Sequence, residues 1–278
     1  MMQHQEFSFN IYNTKFYGQY FTPKTVNNVI VLVHGMGEHS SRYSNFVIPH
    51  FLTNNSAVIT YDHFGHGKTE GKRGHNPGFE AVLDSVEETI KKSKEIFGDK
   101  PTFLYGHSMG GNVVMNYVLR RKNDLTGVIS TSPFLKLGFK PPKWKMAMGK
   151  AMLKIAPSIT VNNELDTEGI SRDKNVVKAY INDPLNHDKV SLNFSILFMD
   201  TAEWAIQNAA KLDIPMLLMH GTADRLTNYK GSEEFAKNAG KNVDLKLWEG
   251  GYHELHNDII KNEVVDEMTN WINTQLKN

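Results

Sequence analysis

The chain carries a serine, an aspartate and a histidine in an order and setting that suit nucleophilic catalysis. In Gly106-His107-Ser108-Met109-Gly110-Gly111, glycines stand two places before and two places after Ser108. That spacing lets a strand turn sharply into a helix without a Cβ clash and leaves the hydroxyl exposed at the helix N-terminus. A serine hydroxyl is a weak nucleophile until a histidine accepts its proton and a carboxylate holds that histidine in the right tautomer. Asp224, in His220-Gly221-Thr222-Ala223-Asp224-Arg225, and His253, in Glu249-Gly250-Gly251-Tyr252-His253, each follow a strand-like run. Asp213 precedes its run and falls at the opposite edge. The negative charge that develops during acyl transfer needs fixed N–H donors. The amide of Met109 is the first candidate, and Met36 in His34-Gly35-Met36-Gly37 is the second. The twelve histidines contain no H-E-x-x-H pattern, so neither a metal nor a cofactor is expected; Asp62-His63 with His66 reads as a loop bracing the site.

These residues need a frame to hold them. Val29 to Val33 is an unbroken apolar run, which demands cover on both faces of a sheet. Comparable runs occur at Ser56 to Tyr61, Thr102 to Tyr105, Thr126 to Thr131 and Ile214 to Met219, and an alternating one at Val243 to Leu247. Between them, helical periodicity covers Phe79 to Phe97, Ser108 to Lys122, Gly231 to Ala239 and Ile259 to Leu276. The alternation predicts an α/β fold with a mostly parallel, doubly wound sheet. Residues 6 to 22 alternate aromatic and polar positions around Asn13-Thr14, which predicts an antiparallel hairpin at the start. About seventy residues separate Ser132-Pro133 from the run at Ile214. The reading is a core of 1–133 and 206–278 interrupted by a cap, or lid, at 134–205.

Composition excludes several classes. With 278 residues, 40% hydrophobic and 22% charged, the chain is neither disordered nor fibrous. Its 31 basic and 30 acidic residues leave a net charge of +1, so no global field attracts nucleic acid. With no cysteine there is no disulfide framework and no thiol nucleophile. The N-terminus lacks the basic start and apolar stretch of a secretory signal, and no apolar run approaches the ~20 residues that span a bilayer. The expectation is a cytoplasmic enzyme, with its oligomeric state left open.

Five segments together carry a family likeness. His34-Gly35-Met36-Gly37-Glu38-His39-Ser40-Ser41-Arg42-Tyr43, Asp62-His63-Phe64-Gly65-His66-Gly67-Lys68-Thr69-Glu70-Gly71, the Ser108 elbow, His220 to Leu226 and Tyr252-His253-Glu254-Leu255-His256 resemble the monoacylglycerol lipases of the α/β-hydrolase fold. The likeness runs from about residue 28 to 272 and includes cap segments at Ser171 to Asp173 and Ala179 to Leu185. It implies Ser108, Asp224 and His253 as triad and Met36 and Met109 as oxyanion donors. It also implies a monoacylglycerol as substrate, with Glu38, Arg42, Tyr180 and His256 around the glycerol end of the pocket. The plainer reading of that last group is a structural Glu38–Arg42 salt bridge with His256 capping nearby. Thr69 stands where many relatives have serine, and the cysteines of vertebrate members have no counterpart, so thiol-directed inhibition does not transfer. Lysophospholipid or simple carboxylester hydrolysis uses the same triad and stays open, as does a ligand-sensing role on a hydrolase scaffold.

The cap has its own pattern. Residues 134–163 contain Lys136, Lys140, Lys143, Lys145, Lys150 and Lys154 and no acidic residue before Glu164. Trp144, Ala147, Met148, Ala151, Met152 and Ile155 fall on one helical stripe, which suits a lid lying against a membrane surface or, equally, packing on the core.

Overall fold

The computed structural model describes residues 3–138, 152, 153 and 155–277. The chain opens with an antiparallel hairpin, β1 (Gln3–Ile11) and β2 (Thr14–Thr22), in register from Gln3↔Thr22 to Ile11↔Thr14. Its turn is Tyr12-Asn13, both with positive φ (50° and 54°), rather than Asn13-Thr14. A type I′ hairpin turn needs two left-handed residues, so Asn13 takes the second position and Tyr12 is drawn into the first.

The apolar runs form β3 (Asn28–Val33), β4 (Ser56–Tyr61), β5 (Thr102–His107), β6 (Gly127–Thr131) and β9 (Met216–Gly221), every residue of which is buried. With β10 (Val243–Trp248) they complete an eight-stranded sheet in the order β1-β2-β4-β3-β5-β6-β9-β10. From β4 to β10 all neighbours are parallel. Alternate residues of each strand face opposite cores. Val29, Val31, Val33, Leu104 and Leu218 join α2 (Phe79–Phe97) and α3 (Met109–Arg120) on one side. Ile30, Leu32, Phe103, Tyr105 and Leu217 pack on the other against α1 (Val47–Thr53) and the C-terminal helix (Lys261–Gln275). Each fully buried aliphatic or aromatic side chain here contributes roughly 1.5–3 kcal/mol. Helix α2 shows how pattern sets the element: Phe79, Val82, Leu83, Val86 and Ile90 recur at helical spacing and are all buried, and Gly98 at φ 73° ends it.

Between β6 and β9 the structure adds two strands that no periodicity announces, β7 (Thr160–Asn162) and β8 (Lys189–Ser191), paired antiparallel. Three residues are too few to show a period of two. Around them lie α4 (Lys174–Asn182) and α5 (Leu192–Gln207), the latter packed on α3. Helices α6 (Tyr229–Ala239) and α7 (Lys261–Gln275) complete the core. The expected basic stripe from Trp144 falls largely on residues outside those described. Among the described residues no helix is long and apolar enough to cross a membrane.

Candidate active site

Ser108 sits between β5 and α3 with φ 55° and ψ −115°, a conformation that L-residues rarely adopt. The neighbouring glycines make that turn possible. A Cβ on Gly106 would lie 2.3 Å from the Gly110 carbonyl oxygen, and one on Gly110 would lie 2.1 Å from that of Val33. The elbow is also pinned from β6, because the Ser108 amide donates to the Thr131 carbonyl at 2.9 Å.

Two further strand ends supply the partners. Asp224 follows β9 and His253 follows β10, and His253 Nδ1 lies 2.7 Å from Asp224 Oδ2. The carboxylate can only accept, so Nδ1 carries the proton and Nε2 is left as the basic nitrogen. Asp224 is held from all sides. Oδ1 accepts from the amides of Leu226 (2.8 Å) and Thr227 (3.0 Å), while Oδ2 also meets the Thr227 hydroxyl (2.8 Å) and His220 Nε2 (3.2 Å). Burial by itself would raise this carboxyl, but the charge of His253 and hydrogen bonds from His220 and His253 hold it well below the usual range. Burial opposes the charged form of His253 as well, yet Asp224 beside it wins and lifts its pKa above the ordinary imidazole value.

Met36 and Met109 both line the cavity that Ser108 and His253 share. Met109 opens α3, where first-turn amides have no partner within the helix. The loop bearing Met36 is shaped by Glu38, whose Oε1 accepts the Gly35 amide at 2.7 Å, and by Gly37 at φ 73°. Behind it, His34 Nε2 accepts the His63 amide at 3.0 Å, so Nδ1 donates to the Gly35 carbonyl at 2.7 Å. Asp62 accepts the amides of Ser40 and Lys68, each at 2.8 Å, which ties the 62–70 loop to the same region.

The four residues expected at the glycerol end divide. Glu38 and Tyr180 border a small cleft of about 20 Å³ that also touches Ser108, His107 and His253. Arg42 and His256 are absent from its lining. Arg42 is instead buried between two carboxylates: Nη1 bonds Glu38 Oε2 at 2.5 Å and Glu254 Oε1 at 2.7 Å, and Nη2 bonds Glu254 Oε2 at 2.9 Å. Its guanidinium also lies 4.7 Å from the Tyr180 ring centroid. His256 is stacked on Tyr43 at 4.9 Å, neither ring nitrogen has a hydrogen-bond partner among the described residues, and burial pushes its pKa down to about 4. The neutral ring packs against Tyr43 and His107.

Sequence reasoning missed Glu254, His220 and Thr227. Glu254 lines the small cleft, and burial opposes its charge less than the adjacent Arg42 favours it, so its pKa falls to about 2. Its position directly after His253 was the available signal; its partner lies 212 residues away. A larger cavity of about 320 Å³ also opens at Ser108, with Phe134, Leu137, Val190, Phe194, Phe198 and Leu226 in its wall. A largely apolar hollow and a small cleft bordered by Glu38, Tyr180 and Glu254 thus meet at one serine. Among the described residues no cluster suited to a metal ion occurs.

Comparison with known proteins agrees with this geometry. The family described as serine aminopeptidase, S33, matches residues 24–260. A monoacylglycerol lipase of Mycolicibacterium smegmatis is 32% identical, over 92% of this chain and 92% of that protein. The phospholipase YtpA of Bacillus subtilis is 34% identical, over 85% of this chain and 91% of that protein. The crystal structure of Paleococcus ferrophilus monoacylglycerol lipase superposes with a TM-score of 0.86 at 32% identity, covering 94% of this chain and 99% of that one. With an α/β-hydrolase sheet and a serine elbow facing an Asp–His pair, the chain belongs to this family of serine hydrolases and, within it, to the monoacylglycerol lipases, which are carboxylic ester hydrolases.

Proposed function

We propose that the protein hydrolyses monoacylglycerols to glycerol and a free fatty acid through an acyl-enzyme on Ser108. The observation that carries this reading is that His253, held by Asp224 at 2.7 Å, lines the same cavity as Ser108. Ser108 Oγ attacks the ester carbonyl while His253 Nε2 takes its proton. The tetrahedral oxyanion is received by the amides of Met36 and Met109. His253 then returns the proton to the departing glycerol oxygen, and water, deprotonated by the same histidine, releases the fatty acid. Asp224 keeps His253 in the productive tautomer. The acyl chain occupies the 320 Å³ apolar cavity, and the alcohol faces Glu38 and Tyr180.

Residues 134–205 act as the cap over this cavity, and within them 134–163 meets the lipid phase. Its run of lysines and the exposed side chains of Ile155, Ile159 and Val161 support that contact. Loss of liposome co-sedimentation in Trp144→Glu is the expected result; unchanged binding refutes the membrane role.

The decisive experiment compares glycerol release from a long-chain monoacylglycerol with hydrolysis of a lysophospholipid and of a short aryl ester, using Ser108→Ala as blank. The expected result is a clear kcat/KM preference for the glyceride and no turnover in the variant. Activity confined to the aryl ester, or retained in Ser108→Ala, overturns the assignment.

A further inference from the structure

Beside Ser108 the chain buries more negative than positive charge. Glu38 accepts only from donors: the Gly35 amide at 2.7 Å, the Tyr43 hydroxyl at 2.9 Å and Arg42 at 2.5 Å. Glu254 does the same, from both terminal nitrogens of Arg42 and from Asn257 Nδ2 at 2.9 Å. Two acceptor-only carboxylates therefore share one guanidinium, and the three side chains are at most 9% exposed. Both carboxylates line the small cleft that reaches Ser108 and His253, whereas Arg42 does not. Of the other titratable neighbours, burial holds His107 and His256 in their neutral forms, and any positive charge on His253 is paired with Asp224 at 2.7 Å. The hydroxyl of Tyr180, which also borders the cleft, has no hydrogen-bond partner among the described residues.

We infer that this arrangement makes the alcohol side of the site anionic and selects esters by the charge of their leaving group: neutral or cationic alcohols are accepted and phosphate-bearing ones are rejected, with Glu254 as the determining residue. The inference rests on the ester-hydrolase reading above and extends it. Arg42 would be the natural partner for a phosphate, but its bidentate bond to Glu254 and its bond to Glu38 already occupy that fork. An approaching phosphate meets two like charges in a cavity with little water to screen them, so the opposition is far stronger than at a surface.

The test uses three hexanoyl esters, short enough to remain monomeric: of glycerol, of glycerol 3-phosphate and of choline. For the wild type, kcat/KM is expected to be lower for the phosphate ester than for the glycerol ester by about tenfold or more, with no penalty for choline. In Glu254→Gln, which keeps the shape and frees half of the Arg42 fork, that ratio is expected to shrink by about tenfold. A purely structural loss lowers all three rates together and leaves the ratio unchanged. Glu38→Gln serves as a second variant, with thermal unfolding to establish that each is folded. If neither variant folds, the wild-type ratio alone decides the matter. Equal turnover of the three esters by the wild type, or an unchanged ratio in a folded Glu254→Gln, overturns the inference while leaving the proposed hydrolysis standing. No turnover of any of them by the wild type overturns both.

Discussion

Replacing Asp224 by asparagine isolates the orienting role of the carboxylate, because the surroundings dictate how the amide must sit. Oδ1 of Asp224 accepts two backbone amides, from Leu226 at 2.8 Å and Thr227 at 3.0 Å. An asparagine NH₂ turned toward them would set donor against donor, at a cost of about 1–3 kcal/mol for each bond lost. The amide oxygen therefore stays on the backbone and the NH₂ faces His253 Nδ1, which must now accept. The proton moves to Nε2, the nitrogen that has to take the proton from Ser108. A wrong tautomer of this kind costs about 10⁴-fold in kcat, or about 5.4 kcal/mol of barrier at 1.36 kcal/mol per factor of ten. The assay is steady-state hydrolysis of a short aryl ester from pH 6 to 9, alongside urea unfolding of both proteins. The folded variant is expected to retain on the order of 10⁻⁴ of wild-type kcat. A loss smaller than about tenfold in a folded variant would show that Asp224 does not set the tautomer, and the reasoning from its hydrogen bonds would fall. Stability offers an independent check of sign. The folded-state pKa of Asp224 is depressed, so its carboxylate stabilises the fold above the unfolded value of 3.8 and that contribution is lost as the pH falls further. The stability gap between wild type and Asp224→Asn should therefore narrow below about pH 3.8.

Three further outcomes follow from the same geometry. His253 must be neutral to act as base and its pKa lies above 6.5, so kcat/KM should fall toward acid with a midpoint above pH 6.5; a midpoint below that value contradicts the influence assigned to Asp224. Ser108→Gly should abolish turnover yet stabilise the fold by about 1–2 kcal/mol in chemical denaturation by relieving the φ of 55°, whereas Ser108→Ala keeps the Cβ and gains nothing; equal stability of the two variants refutes the strain argument. Arg42→Met strands Glu38 and Glu254 without a cation and should cost about 3–5 kcal/mol in urea unfolding, and a loss under about 1 kcal/mol would mean that water reaches the pair.

The parallel core and the order of the catalytic candidates were legible because both depend on local pattern. An unbroken apolar run such as Val29 to Val33 has few places to go other than a doubly covered strand, and the helical spacing of Phe79 to Phe97 survives unchanged as α2. The glycines at 106 and 110 declared the elbow for the same reason, since close backbone approach leaves room for no other residue. Elements below the length of their own period stayed hidden, as β7 and β8 did, and so did the hairpin turn, shifted by one residue onto Tyr12. The amino-acid sequence by itself thus determined the fold class, the elbow and which serine, aspartate and histidine follow strand ends. Only the tertiary structure decided what surrounds them: that Arg42 is claimed by Glu254, that His256 stacks on Tyr43, and that His220 and Thr227 share the carboxylate of Asp224. The physical reason is separation along the chain. A strand or turn is fixed by neighbours a few residues away, whereas a buried charge is fixed by whichever groups the folded sheet brings to it, here from 212 positions distant.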